Sequence, residues 1–398
     1  MDIIITPRKL NGSLSVIPSK SQAHRLLICA AFADRETTLI CPETSRDMEA
    51  TAQCLNALGA CIQRTESGFH IKPVQNIPEE AVLICHDSGS TLRFMLPIVG
   101  ALGVTATFFL EGRLAQRPLS PLWEEMERMG CQLSRPQHSS ILCKGHLKAG
   151  EYRIDGGISS QFITGLLLAL PLLKQHCKIT VTGTLESKPY VDMTQHAMNL
   201  FGVSSANYEL SGTDTFCSPG TVNVEGDWSN GAFFLAAQAL GNPISVENLS
   251  ENSIQGDRQA AQLIPALENP VTISASHIPD LVPILSLVAA SRKGARFTDI
   301  RRLRLKESDR VSSVVNMITA LGGFAEAAEN TLTIHGTGLD GGIVDAVNDH
   351  RIAMTAAIAS TICNNPVIIL GAECVEKSYP QFWKEFCRLG GHYEQYIR

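Results

Sequence analysis

Six times along the chain a short polar head runs directly into a compact apolar stretch. The copies are SKSQAHRLLICAAFA from Ser19, DSGSTLRFMLPIVGAL from Asp87, GGISSQFITGLLLALPLL from Gly156, EGDWSNGAFFLAAQALG from Glu225, HIPDLVPILSLVAA from His277 and NDHRIAMTAAIAS from Asn348. The heads start 68, 69, 69, 52 and 71 residues apart, so one period governs the chain and the fourth copy is short by about a strand pair. A second helical pattern interleaves with the first: SRDMEATAQCLNALG, LAQRPLSPLWEEMERMG, SKPYVDMTQHAMNLFG, SIQGDRQAAQLIPAL, RLKESDRVSSVVNMITALG and EKSYPQFWKEFCRLG. These are amphipathic, and five of them stop at a glycine (Gly59, Gly130, Gly202, Gly322, Gly390), the usual helix terminator. Alternating stretches such as ATFFLEG, CKITVTG, PISVENL and TLTIHG read as strands.

Each repeat therefore holds one helix that is apolar on every face, one amphipathic helix and several strands, which is an α/β (α+β) pattern. A helix without a polar face belongs inside a core, so the six apolar helices are expected to be buried, parallel within each domain and shielded by the other six. Six such units in 398 residues exceed one core, and three plus three is the natural division. The polar, turn-rich segment 204–222 marks the junction. The expected domains are residues 18–222 and residues 223–398; residues 1–17, whose MDIIITPRKLNGSLSV reads as a strand, complete the second if the chain crosses a second time near residues 13–18, which the family resemblance given below implies.

The heads carry the functional signal. A helix N-terminus bears partial positive charge and free N–H groups, which favour anions and disfavour cations. Ser, Asp or Asn there is explained by simple capping. Lys20, Arg25, Arg93 and Arg351 are not, and Arg117, Lys306, Arg310 and Lys377 add cations near the second helices. The chain as a whole is acidic, with 39 Asp and Glu against 33 Lys and Arg, which argues against a nucleic-acid or membrane-surface binder. The cations thus mark a local site for anions. KESDR also admits a plain reading, a surface ion-pair run worth little. Twelve scattered cysteines without a CxxC pair read as reduced thiols of a cytoplasmic protein. The N-terminal stretch lacks the pattern of a signal peptide, and FITGLLLALPLL is too short to span a bilayer.

The heads PSKSQAHR, DSGSTLR, QRPLSPL, DGGISSQFITGLLLALPL, SKPYVDMT, EGDWS, QGD, HIPD, RLKESDR, NDHRIAM and EKSYPQF resemble, in order and spacing, those of the EPSP synthase (3-phosphoshikimate 1-carboxyvinyltransferase) family of enolpyruvyl transferases. The resemblance covers essentially the whole chain. It implies two domains, each an inside-out array of three βαβαββ repeats, joined by two crossovers and closing on substrate, with the active site in the interdomain cleft. It also implies transfer of the enolpyruvyl group of phosphoenolpyruvate to the 5-hydroxyl of shikimate 3-phosphate, by addition and elimination through a tetrahedral intermediate, in aromatic amino acid biosynthesis. The expected partners are these two small molecules alone, with no nucleic acid, no membrane and a monomeric chain. No cofactor or metal is expected, because the cations themselves neutralise developing charge.

Carried over by position, Lys20, Ser21, Arg25, Ser159, Ser160, Gln161, Ser187, Tyr190, Asp280, Arg302 and Lys306 would bind shikimate 3-phosphate. Lys20, Gly89, Arg117, Gln161, Arg310, Arg351 and Lys377 would hold phosphoenolpyruvate, the arginines suiting its carboxylate and phosphate bidentately. Asp280 would be the base for the 5-hydroxyl and Glu307 the acid to carbon, with Lys20, Lys306 and His350 assisting. Glu307 among cations would normally ionise, so an acid role demands an opposing influence such as burial or substrate charge. For Asp280 the plainer alternative is an N-cap before LVPIL. Asp87 stands where the family usually has Asn, and Arg302 where an Asn often contacts shikimate 3-phosphate. Gly89 leaves open the place that the herbicide glyphosate would occupy, so sensitivity is expected. A UDP-N-acetylglucosamine enolpyruvyl transferase is the nearest alternative, although EGRLAQRPL lacks the cysteine usual in its loop; a non-catalytic anion-binding paralogue is the other.

Overall fold

The computed structural model describes residues 1–397, which form two compact units. One is contiguous, Pro18–Val224; the other is split, joining Met1–Ile17 to the chain from Glu225 onward. Both mix helices and sheets.

The contiguous unit holds α1 (Lys20–Ala31), α2 (Arg46–Ala57), α3 (Gly89–Leu102), α4 (Leu122–Arg128), α5 (Ser160–Ala169) and α6 (Lys188–Leu200). The apolar runs become α1, α3 and α5, almost wholly buried, whereas α2, α4 and α6 keep an exposed face. The α3–α5 contact is the tightest of the three. A Cβ at Gly165 would stand 2.2 Å from the Arg93 carbonyl oxygen, so only glycine lets the two backbones meet. The apolar run of α5 ends as a tighter 3-10 turn, Leu170–Leu173, because Pro171 has no N–H to continue the α-helical ladder. Three sheets wrap these helices. Thr37–Ile40 lies between Thr221–Asn223, parallel, and Gly68–Lys72, antiparallel, with Cys61–Thr65 beyond. Glu80–His86, Thr105–Leu110, Ser140–Gly145 and Cys131–Ser134 form the second, and Glu151–Asp155, Cys177–Thr182 and Glu209–Leu210 the third.

The split unit repeats the plan with α7 (Trp228–Ala239), α8 (Ala260–Ala266), α9 (Val282–Ala290), α10 (Arg310–Ala320), α11 (His350–Ala359) and α12 (Phe382–Arg388). Every residue of α9 and α11 is buried, and α7, α9 and α11 pack on one another. The short fourth repeat shows where residues are missing. Three strands (Cys61–Thr65, Gly68–Lys72, Glu80–His86) separate α2 from α3, whereas Val271–Ser274 alone separates α8 from α9. Residues 1–17 supply two strands here. Ile3–Ile5 is an interior strand, with Ile3 opposite both Ile369 and Gln395, and Gly12–Ser15 runs parallel to Ile244–Glu247. The five glycines that end amphipathic helices all have positive φ, from 79° at Gly202 to 114° at Gly130, the conformation a helix stop of this kind requires. Among the described residues the twelve cysteines are unbridged, and no helix is long and apolar enough to cross a membrane.

Candidate active site

Side-chain capping accounts for the heads of five apolar helices. Ser19, Ser88, Ser159, Asp227 and Asp349 each accept a hydrogen bond from a backbone N–H in the first turn of α1, α3, α5, α7 and α11. The head of α9 is different. Its cap residue is Leu281, no side chain caps it, and the Asp280 carboxylate turns instead to cations.

In the contiguous unit, Lys20 opens α1, with Nζ 2.9 Å from Asp47 Oδ2 in the first turn of α2. Ser21 follows, half-buried. Arg25 is buried and committed. Its Nε donates to Thr194 Oγ1 at 2.8 Å, and its two Nη groups donate to the Ser21 and Tyr190 carbonyls and to Thr164 Oγ1. Four of its five N–H groups are thereby used within the unit, leaving one for a ligand. Burial lowers its pKa to about 10.

Ser159 and Ser160 sit at the start of α5, and Gln161 beside them bridges two elements. Its Nε2 donates to Ser90 Oγ at 2.9 Å and its Oε1 accepts from Arg93 Nη1 at 2.8 Å. Ser187 precedes α6 in the left-handed region, φ 52°, its hydroxyl buried and not spent on capping, with Tyr190 one turn along. Gly89 is the first residue of α3, and a Cβ there would lie 2.6 Å from Arg117 Nη1 and 2.8 Å from Arg93 Nη1. Two guanidinium groups therefore flank a helix N-terminus, the setting for an anion. No α-helix starts beside Arg117, although it lies in the helical pattern LAQRPLSPLWEEMERMG. Pro118 holds it extended, φ −70° and ψ 139°, after the 3-10 turn Gly112–Gln116, and α4 begins only at Leu122.

In the split unit, Arg310 is 1 % exposed at the start of α10 and meets three carboxylates: Asp280 at 2.5 Å, Glu307 at 2.7 Å and Asp349 at 2.8 Å. Arg351 donates to Asp280 Oδ2 at 3.1 Å and to the Asp280 carbonyl at 3.3 Å, and Lys306 Nζ lies 3.6 Å from Asp280 Oδ1. KESDR is thus no surface ion-pair run, because its arginine, Arg310, is buried. Burial works to raise the Asp280 pKa, but Arg351, Lys306 and Arg310 together hold it well below the carboxylate range. Lys306 is lowered to about 8, chiefly by burial, with Arg310 and Arg302 adding to the shift and Asp280 opposing it. Burial likewise pushes against the Arg310 charge, yet Asp349, Glu307 and Asp280 carry its pKa well above its usual value. Arg302 is buried in the 3-10 turn Arg301–Leu305 that leads into Lys306. His350 is buried at the first position of α11, and Lys377 is buried at the end of the 3-10 turn Ala372–Lys377.

Three acids outside the sequence-based set belong to these clusters, together with Arg93, which the sequence marks as a cation at a helix head without a ligand assigned to it. Arg93 joins Arg117 at Gly89, Asp47 holds Lys20, and Asp349 anchors Arg310 while capping α11. Asp257, in QGD, accepts from the Ser229 hydroxyl; its pKa is raised to about 6 by burial and by the Asp280 charge, with Arg351 opposing. A cation at a helix head stands out in sequence; an acid there looks like a cap. Among the described residues no group of three His, Cys, Asp or Glu is disposed to hold a metal.

The chain matches the family model described as EPSP synthase (3-phosphoshikimate 1-carboxyvinyltransferase) over residues 4–274 and 264–386. It is 37% identical over 420 residues to the 3-phosphoshikimate 1-carboxyvinyltransferase of Clostridium kluyveri, covering 99% of this chain and 98% of that one. It is 40% identical over 418 residues to that of Clostridium perfringens strain 13, covering 98% of each. In fold it is similar to an EPSP synthase of Acinetobacter baumannii, with a TM-score of 0.80 at 21% identity over 99% of this chain and all of that one. With a family match along nearly its whole length and relatives this close, the chain belongs to the EPSP synthase family.

Proposed function

We propose that this chain transfers the enolpyruvyl group of phosphoenolpyruvate to the 5-hydroxyl of shikimate 3-phosphate, releasing phosphate, as a step of aromatic amino acid biosynthesis. The observation that carries the reading is the uncapped head of α9, where a carboxylate lies among Arg310, Arg351 and Lys306. Arg310, Arg351 and Lys377, with Lys20, Arg117, Gln161 and the backbone at Gly89, are the groups we assign to phosphoenolpyruvate. Ser159, Ser160, Ser187, Gln161, Tyr190, Ser21, Arg25 and Lys20, with Asp280, Arg302 and Lys306, are assigned to shikimate 3-phosphate.

The chemistry follows from charge. Phosphate and carboxylate groups compete with Asp280 for its arginines, so substrate binding raises the basicity of a carboxylate that is too well stabilised when the site is empty. Asp280 then takes the 5-hydroxyl proton as that oxygen bonds to C2 of phosphoenolpyruvate, and Glu307 delivers a proton to C3. Glu307, now a carboxylate, takes a proton back from C3 as the bond from C2 to the phosphate oxygen breaks, and phosphate leaves with the proton that Asp280 took. Substrate anions beside Glu307 also favour its protonated form, the influence an acid among cations needs. Lys306 and His350 assist by offsetting the charge that develops.

The test is phosphate release from phosphoenolpyruvate by the purified chain, with and without shikimate 3-phosphate. Release that requires shikimate 3-phosphate supports the reading; release that requires UDP-N-acetylglucosamine instead, or none with either, overturns it. We further propose that the chain acts as a monomer in the cytoplasm, where its unbridged thiols stay reduced. Light scattering that returned twice the mass of one chain would refute the monomer.

A further inference from the structure

Behind Lys20 the heads of α1, α2 and α3 are tied together by a chain of buried hydroxyls. Lys20 and Asp47 form one rung between α1 and α2; one turn along each helix, His24 and Thr51 form a second, with 2.7 Å from His24 Nδ1 to Thr51 Oγ1. Thr51 Oγ1 lies 2.8 Å from Thr91 Oγ1 on α3. The Thr91 hydroxyl in turn reaches Ser88 Oγ at 2.8 Å and the Asp47 carbonyl at 3.4 Å. His24, Thr51, Thr91 and Ser88 are each 0% exposed.

The direction of the chain can be assigned from its bonding. Burial lowers the His24 pKa to about 3, so the ring is neutral. Its Nε2 is buried without a hydrogen-bond partner. A bare buried acceptor is tolerated better than a bare buried N–H, which places the proton on Nδ1. His24 therefore donates to Thr51, Thr51 to Thr91, and Thr91 gives its single hydroxyl proton to Ser88 at 2.8 Å, with the Asp47 carbonyl at 3.4 Å the weaker acceptor. Valine would fill the position of Thr51 as well as threonine does, and a buried hydroxyl is costly unless its bonds are made. What the bonds add is register: they fix α1 against α2 and α3 at the turn behind Lys20.

We propose that His24, Thr51 and Thr91 are positioning residues for Lys20, acting through Asp47 to set where its ammonium group meets the substrates. None of the three is assigned to substrate. The inference rests on the reading of Lys20 given above.

The experiment uses the full chain. Thr51→Val removes one hydroxyl at constant shape and is expected to lower kcat between about 10- and 100-fold, the cost of a small misplacement of a reacting group. Thr51→Ser restores kcat to near wild type. Thr361→Val removes another buried hydroxyl, one bonded to Asn242 and the Ile358 carbonyl, and leaves kcat unchanged. In a Lys20→Arg background Thr51→Val adds little further loss, because both act on one group. Wild-type kcat in folded Thr51→Val, or the same fold-loss in both backgrounds, overturns the proposal. If Thr51→Val does not fold, Thr91→Ala carries the same prediction. A second readout needs no turnover: acetylation of Lys20 by acetic anhydride, followed by mass spectrometry, is faster in Thr51→Val and unchanged in Thr361→Val. A silent wild-type enzyme with that difference intact removes the functional reading and keeps the positioning; normal turnover with equal acetylation does the reverse.

Discussion

Asp280 and Lys306 face each other with pKa values displaced by the same surroundings, and the displacement has a sign that can be measured. The Lys306 value in the folded chain, about 8, lies below its ordinary 10.5, so its charge is lost at lower pH than in the unfolded chain. If that charge supports catalysis, kcat/KM falls as pH rises through about 8, and Lys306→Arg moves this alkaline limb upward. A limb unmoved in Lys306→Arg would assign it to another group. Glu307→Gln keeps the size and removes the proton donor, and phosphate release is expected to fall by about 100-fold or more. At Gly89 an added methyl meets Arg117 Nη1 at 2.6 Å and Arg93 Nη1 at 2.8 Å, so Gly89→Ala displaces the guanidinium groups. Its KM for phosphoenolpyruvate is expected to rise roughly tenfold, the loss of one charge-assisted bond. At this scale the cations were legible because a helix head is the wrong place for them. Asp47 and Asp349 were not, since an acid at a head is adequately explained by capping, and Asp349 does cap α11 while it holds Arg310.

That double duty makes α11 the element on which the two explanations can be separated. An N-cap contributes about 1 kcal/mol, whereas removing one partner of a buried ion pair costs about 3–5 kcal/mol. Asp349→Ser keeps a capping hydroxyl and loses the charge, so if the ion pair dominates it destabilises nearly as much as Asp349→Ala. Urea titration of both variants decides, and a small loss in Asp349→Ser would make the cap the main contribution. The α3–α5 contact offers a second element-scale test. Gly165→Ala places a methyl against the Arg93 carbonyl and Pro97, and overpacking of this kind costs about 1–3 kcal/mol. The helices themselves were readable because an apolar run with no polar face has only one place to go, and the glycine stops fixed their ends. The strand pairings were not, because alternation shows that a strand exists without naming its neighbour. Nothing in III at residues 3–5 points to VIIL at residues 367–370.

For the whole molecule, the period of about 70 residues announced six units, and the short fourth interval announced a missing strand pair. Contiguity now separates the two units experimentally. Residues 18–224 contain all the strands of their three sheets and are expected to fold alone, whereas residues 225–398 lack Ile3–Ile5 and Gly12–Ser15. Circular dichroism and thermal melts of the two fragments test this; a cooperative melt of 225–398 without a peptide of residues 1–17 would count against it. The interior strand Ile3–Ile5 also imposes an order of events during synthesis. It is made about 360 residues before Val367–Leu370, the strand it pairs with. At roughly 5–20 residues per second, three consecutive isoleucines wait about 20–70 seconds for their neighbours while the contiguous unit can already be complete. That interval makes this stretch of the nascent chain a natural client for a holding chaperone.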